Sequence, residues 1–338
     1  MAVVVRKPEL VCPAGSLPAL RAAVDEGADA VYIGFRDATN ARNFPGLNFD
    51  ADTAREGVRY AHSAGARVLL ALNTYPRSAH WARWTAAVDR AAEIGVDAVI
   101  LADPGLMHYA AVTHPQLRLH LSVQGSATSR HAIAFYHRQF GIRRAVLPRV
   151  LSLAQVRGIV ERSPVEIEVF GFGSLCVMVE GRCTLSSYIT GESPNTCGVC
   201  SPARAVRWEE TPDGRQSRLN GVLIDRYAPG EAAGYPTLCK GRYRVGDATY
   251  YAIEEPTSLN VLELLPDLLA CGVAAIKVEG RQRSPAYVRE VARVLRAAID
   301  TCAADPERFR VRAEWGAALD RLSEGRSHTL GALHRPWQ

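Results

Sequence analysis

Five cysteines fall within one irregular stretch of the chain: Cys176, Cys183, Cys197, Cys200 and Cys239. Thiolates crowded in this way are soft ligands, suited to zinc or to an iron–sulfur cluster. A structural zinc site usually shows two close cysteine pairs, and here only Cys197-Gly-Val-Cys200 forms one, so zinc is poorly matched. A cluster accepts thiolates from separate loops, and the spread spacing counts for it. Cysteines also serve as small buried hydrophobes. That role suits Cys12 at the start of a strand, Cys271 beside Gly272 and Cys302 on the last helix. It suits the crowded five badly, because glycine, proline and polar residues leave them little core to join.

Charged residues near the ends of the apolar runs are the other chemical candidates. Lys277, Arg281 and Arg283 cluster late in the chain and Arg42 follows an early strand, cations of the kind that hold carboxylates. Asn40, Asn73 and Gln124 occupy comparable positions after other strands. Glu166 and Glu168 alternate with Val165, Ile167 and Val169, which puts both carboxylates on one face of a strand. Such a pair could do acid–base work if burial raised a pKa, although pairing with arginines between barrel layers is the more common fate. Glu279 is a third candidate of the same kind. His120, between Leu119 and Leu121, reads as a satisfied core or mouth histidine rather than a metal ligand.

These residues need a scaffold, and the scaffold is written as a repeat. An amphipathic helix ends at a glycine and an apolar strand follows at once, as in Gly27-Ala-Asp-Ala-Val31, Gly95-Val-Asp-Ala-Val99 and Gly272-Val-Ala-Ala-Ile276. Strands are expected at 9–12, 30–35, 67–72, 98–103, 117–121, 144–148, 165–170 and 274–279. Eight such units predict an α/β fold, a (β/α)8 TIM-like barrel, with an open doubly wound sheet as the alternative. Residues 1–171 would carry strands one to seven. Residues 172–255 would be a cysteine-bearing insertion between the seventh and eighth strands, with short strands at Ala205–Glu209, Leu219–Ile224 and Tyr243–Tyr251. Residues 256–304 would complete the barrel with a helix at Ala286–Ala304, and 305–338 would be an Arg-rich tail. The insertion leaves from the C-terminal end of a strand, the face where barrel enzymes do chemistry.

With 338 residues, 48% hydrophobic and 22% charged, the chain can bury a large core. Its formal charge of +5 comes from 40 basic and 35 acidic residues spread along the sequence, without a basic stripe interleaved with aromatics, which argues against nucleic acid. Met1–Lys7 does not read as a secretory signal and no run is long enough for a transmembrane segment, so a cytoplasmic protein is expected. There is no Gly-x-Ser-x-Gly elbow and no His-Glu-x-x-His helix. Gly171-Phe-Gly173 resembles a dinucleotide loop but lacks its third glycine.

Three segments together resemble the collagenase-like peptidase family: Glu9-Leu-Val-Cys-Pro-Ala-Gly15 with Gly27-Ala-Asp-Ala-Val-Tyr-Ile-Gly34, the Cys176/Cys183 segment, and Ile276-Lys-Val-Glu-Gly-Arg281 with Ser284-Pro285. The resemblance covers nearly the whole chain and is strongest to the ubiquinone-biosynthesis branch. That branch implies a [4Fe-4S] cluster on four cysteines separated by 7, 17 and 39 positions, which here selects Cys176, Cys183, Cys200 and Cys239 and leaves Cys197 as a neighbour. It implies oxygen-independent, anaerobic hydroxylation of a ubiquinone precursor, with prephenate as hydroxyl donor and a UbiV-like protein as heterodimer partner. A lipid-binding accessory protein could deliver the precursor. Prephenate is a dicarboxylate, and Lys277, Arg281, Arg283 and Arg42 are the residues expected to bind it. Relatives in the family hydroxylate RNA bases, so a prephenate-dependent RNA hydroxylase is an alternative, as is a peptidase.

Overall fold

Serine or aspartate side chains open most of the helices in the chain, and most of the strands that follow are short. Ser16, Asp50, Asp103, Ser129, Ser152 and Ser284 each accept a backbone N–H of the first turn. Gly95 and Gly141, at φ +80° and +69°, close two helices in the left-handed region that a side chain would disfavour. The computed structural model describes residues 7–176, 178, 183–194 and 199–334. Met1–Arg6 and Cys197 lie outside the described residues.

The barrel strands are β1 (Glu9–Pro13), β2 (Ala30–Ile33), β3 (Arg67–Leu72), β4 (Ala98–Leu101), β5 (Leu119–Leu121), β6 (Arg144–Val146), β7 (Glu166–Ser174) and β14 (Ala275–Val278). They pair in parallel and in order, and β14 joins both β7 and β1, so the sheet closes on itself. This is the expected (β/α)8 barrel; closure excludes the open doubly wound sheet. The helices around it are α1 (Leu17–Asp25), α2 (Ala51–Ser63), α3 (Trp81–Ile94), α4 (Pro104–Thr113), α5 (Arg130–Phe140), α6 (Leu153–Val160), α8 (Leu265–Ala270) and α9 (Pro285–Ala304), with α7 (Thr184–Thr190) in the insertion. The main apolar core lies between strands and helices, where residues such as Leu10, Val31, Leu70 and Ile276 are fully buried. Among the described residues, no helix is long and apolar enough to cross a membrane.

The insertion departs from expectation in instructive ways. Where single strands were expected, the chain forms hairpins: β8 (Val206–Thr211), β9 (Gly214–Leu219) and β10 (Val222–Tyr227) make one antiparallel sheet, and β11 (Arg242–Val245) and β12 (Ala248–Tyr251) another. Asn220 and Gly221, both at positive φ, form the two-residue turn that splits the expected Leu219–Ile224 strand. β7 also runs on to Ser174, because β13 (Ser258–Asn260) pairs antiparallel with its end. The tail is structured too, with α10 (Ala313–Leu322) and β15 (His328–Thr329), which pairs with β13.

Inside the barrel, apolar side chains from Val11, Tyr32, Leu69, Ile100 and their neighbours form a small core. The rest of the interior is ionic. Arg144, 1% exposed, donates to Glu9 at 2.7 Å, Glu166 at 2.8 Å and Glu168 at 3.2 Å. Arg118 and Arg67 add contacts to Glu166 and Glu9, and Lys277 meets Glu168 at 2.7 Å. Burial works against the charge of Arg144, but Glu168 and Glu9 more than offset it and hold its pKa above the ordinary value. Burial would raise Glu9, yet Arg67 and Arg144 hold it below the usual carboxylate value. His120, buried beside this group and accepting from Arg118 Nε at 3.1 Å, is held well below 6.5 by burial and by Arg144 and Arg118.

Two outcomes are expected. Arg144→Met leaves Glu168 and Glu9 buried without their shared cation and should cost about 3–5 kcal/mol in urea unfolding. His120 is neutral when folded but protonates below pH 6.5 when unfolded. Its contribution is therefore complete above that pH and lost as pH falls, with a limiting slope of about 1.4 kcal/mol per pH unit. The unfolding free energy should therefore fall as the pH drops below 6.5, and fall less steeply in His120→Leu than in the wild type.

Candidate functional site at the barrel mouth

The C-terminal ends of the strands surround a small cleft that opens to solvent. Tyr32 lies on β2, Phe170 on β7, and Lys277 reaches up from β14, its ammonium 3.8 Å from the Tyr32 ring centre. Arg42, Asn73, Gln124 and Arg149 come from loops after β2, β3, β5 and β6, with Glu279 and Arg281 just beyond β14. Four cations thus face the cavity against one lining carboxylate.

Most of these groups are held by others. Asn40 is fully buried; its amide donates to the Phe35 carbonyl and its oxygen accepts from Arg281 Nη1 at 2.6 Å and the Arg42 N–H at 3.0 Å. Asn73 accepts from the Ala41 N–H at 3.1 Å, so the loop carrying Arg42 is tied to two neighbouring strand ends. Burial pushes Arg281 down to about 10, the low end for a guanidinium. Burial likewise lowers Lys277, with Glu168 opposing it. Burial would raise Glu279, but Arg42, Arg283 and Arg149 outweigh it and keep the carboxylate ionised. Arg42 Nε stands 3.7 Å from Glu279 Oε1. Among the described atoms, Glu279 Oε2 and Gln124 Oε1 are buried with no hydrogen-bond partner, which leaves acceptors facing a polar site.

The expected site residues separate. Lys277, Arg281, Arg42, Asn40, Asn73 and Gln124 converge here. Arg283 does not line the cavity: it stacks on Tyr287 and reaches Glu324 at 3.3 Å. Glu166 and Glu168 lie beneath the cavity in the ionic core, engaged by Arg144, Arg118 and Lys277. Arg149 was missed, although it follows the sixth strand as plainly as Arg42 follows the second. Its guanidinium sits 4.3 Å from the Phe170 ring centre and donates to the Ser174 carbonyl.

The four thiols adjoin this mouth. Cys176 lies two residues past the end of β7 and Cys183 caps α7, its sulfur accepting the Ser186 N–H at 3.3 Å. The Ser186 hydroxyl donates to the Cys200 carbonyl, which ties two of the cysteines to one helix. Cys239 lies in the short turn Leu238–Lys240. Burial raises the Cys183 and Cys239 thiols, the latter to about 11, whereas Cys200 is exposed. The thiols also act on one another: Cys176 on Cys183, Cys183 on Cys200, and Cys200 and Cys176 on Cys239. Arg42 and Lys240 oppose these shifts at Cys200 and Cys239. Among the described residues, no three His, Cys, Asp or Glu side chains gather tightly enough for a single metal ion. Four cysteine thiolates are the soft donor set that an iron–sulfur cluster takes. Cys271, expected in the core, is only half-buried, while Cys12 and Cys302 are fully buried.

Residues 15–335 match the profile of peptidase family U32. The chain is 31% identical over 321 residues to tRNA hydroxylation protein P1 of Bacillus subtilis (strain 168), covering 95% of this chain and 70% of that protein. It is 33% identical over 319 residues to tRNA hydroxylation protein P of Escherichia coli (strain K12), with 88% and 69% covered. It is 29% identical over 303 residues to a collagenase of Porphyromonas gingivalis (strain ATCC BAA-308 / W83), with 86% and 65% covered. Among solved structures, the U32 peptidase Mk0906 aligns with 48% of this chain and 68% of its own, at 17% identity and a TM-score of 0.41.

The packing behind Arg281 is testable. A methyl group at Gly34 would lie 2.5 Å from Arg281 Nη1 and 2.4 Å from Asn40 Nδ2, both buried. Gly34→Ala should break their hydrogen bond and lower stability by about 1–3 kcal/mol, seen as a reduced melting temperature.

Proposed function

The chain belongs to peptidase family U32, and from that premise we propose that it is an oxygen-independent hydroxylase subunit of the UbiU type. In this reading Cys176, Cys183, Cys200 and Cys239 hold a [4Fe-4S] cluster. A ubiquinone precursor is the acceptor, prephenate the hydroxyl donor, and a UbiV-like chain the heterodimer partner. The observation that carries the reading is a shared residue. Arg42 lines the cationic mouth, and Cys200 and Cys176 lie near enough to bear on its charge, so the mouth and the thiols are neighbours.

The roles of the chain's own residues follow from that geometry. Lys277 and Arg281, buried at the base of the mouth, and Arg42 and Arg149, at its walls, are suited to gripping a dianion, and partial desolvation strengthens the grip. Tyr32, Ile100 and Phe170 offer faces for an unsaturated ring. Glu279, held ionised, can accept a proton or hydrogen bond but not act as the resting acid. When bound, a cluster would supply one-electron chemistry beside this pocket.

RNA hydroxylation is a second reading, favoured by the names of the Bacillus and Escherichia relatives. The peptidase reading is weaker. Ser122 is the lining serine among the described residues, and it caps a turn by accepting the Gln124 N–H at 3.2 Å rather than meeting an imidazole.

Anaerobic cells lacking the gene, complemented with the wild type or with Cys176→Ala, separate these readings. Ubiquinone should return only with the wild type, and anaerobically purified wild-type protein should carry iron and acid-labile sulfide in equal amounts. Stoichiometric zinc without sulfide would sink the cluster. Unchanged ubiquinone together with a missing hydroxylated tRNA nucleoside would transfer the function to RNA.

A further inference from the structure

Glu324, in the tail after α10, reaches both ends of the thiol group. Its carboxylate accepts the hydroxyl of Ser174, two residues before Cys176, and pairs with the ammonium of Lys240, the residue after Cys239. Arg283 Nη2 approaches the same carboxylate at 3.3 Å, and the Glu324 N–H donates to Ser258 Oγ at 3.0 Å, on the strand that staples the neck of the insertion. The next residue, Gly325, holds φ +59°, where an added methyl would lie 2.2 Å from the Pro256 carbonyl, so the turn is pressed into place. Lys240 is only 9% exposed, and a cation that buried needs a partner.

We infer that Glu324 is a positioning residue for the cluster site, and that its pair with Lys240 sets the charge felt by a cluster on the neighbouring cysteines. The inference rests on the cluster proposed above. An unpaired ammonium beside Cys239 would favour the more negative, reduced cluster, and Glu324 cancels that charge. Glu324→Gln should therefore raise the cluster's midpoint potential, and Lys240→Met should lower it. The double variant should return near the wild type, because both charges are gone. The expected shift for each single variant is about tenfold in the reduced-to-oxidised ratio at fixed poise, about 59 mV for a one-electron couple.

The test is a dye-mediated redox titration of anaerobically prepared full-length protein, followed by its visible and electron-paramagnetic-resonance spectra, with iron and sulfide measured on each sample. Opposite shifts that cancel in the double variant support the assignment. Glu324→Asp, which keeps the charge, should stay nearer the wild-type potential than Glu324→Gln. If the wild type takes up no sulfide-bridged iron, the cluster reading itself fails. If it does, and the single variants keep the wild-type potential or move together, the ion-pair assignment alone is overturned. If Glu324→Gln does not load, the opposite shift in Lys240→Met still decides the matter.

Discussion

A guanidinium sealed inside a barrel is costly unless carboxylates surround it, and the interior of this one is arranged around meeting that cost at Arg144. Three glutamates from β1 and β7 converge on it, and two further arginines balance the surplus negative charge. An apolar plug of equal volume could be at least as stable. The ionic interior instead runs from the bottom of the barrel through Glu168 to Lys277, whose ammonium lies under the Tyr32 ring at the base of the mouth. Core and site are one connected set of charges.

That connection explains why the mouth can hold several cations close together. Lys277 is satisfied from below by Glu168, and Arg281 is held from the side by Asn40, so neither depends on a ligand for its position. Arg42 and Arg149 are drawn toward Glu279 electrostatically, with Phe170 stacking beneath Arg149. A preorganised cationic wall pays less ordering entropy when an anion arrives.

The insertion is anchored by the same economy of contacts. Its first residues extend β7, its return strand β13 pairs with that extension, and β15 and Glu324 cover the junction from the tail. The thiols therefore hang from a neck held by strand pairing on both sides. Serine hydroxyls and backbone groups fix several of them, beside a small apolar cluster of Val206, Leu219 and Ile224 against which Ile189 and Leu238 pack.

Much of this was legible in the sequence because it is local. Helix caps, strand periodicity and terminal glycines act within a few residues, so the eight strands and their order could be read directly, and so could the crowding of cysteines. Which face each barrel residue takes also follows from alternation. What alternation cannot reveal is the partner across the barrel: Arg144 meets Glu9 from 135 residues away, and Arg281 meets Asn40 from 241. Pairing of Glu166 and Glu168 with arginines is the more common fate expected for them, but which arginines cannot be read, and Arg283 reads as a ligand-binding residue until Glu324 engages it. The tail showed no motif at all, and its importance arises only where it packs. The chain by itself determined which segments become strands and helices and which residues could bind metal or anions, since those are properties of short stretches. Only closure of the barrel decided which charges neutralise one another and which are left to line the mouth, because that depends on distances between residues that the sequence keeps far apart.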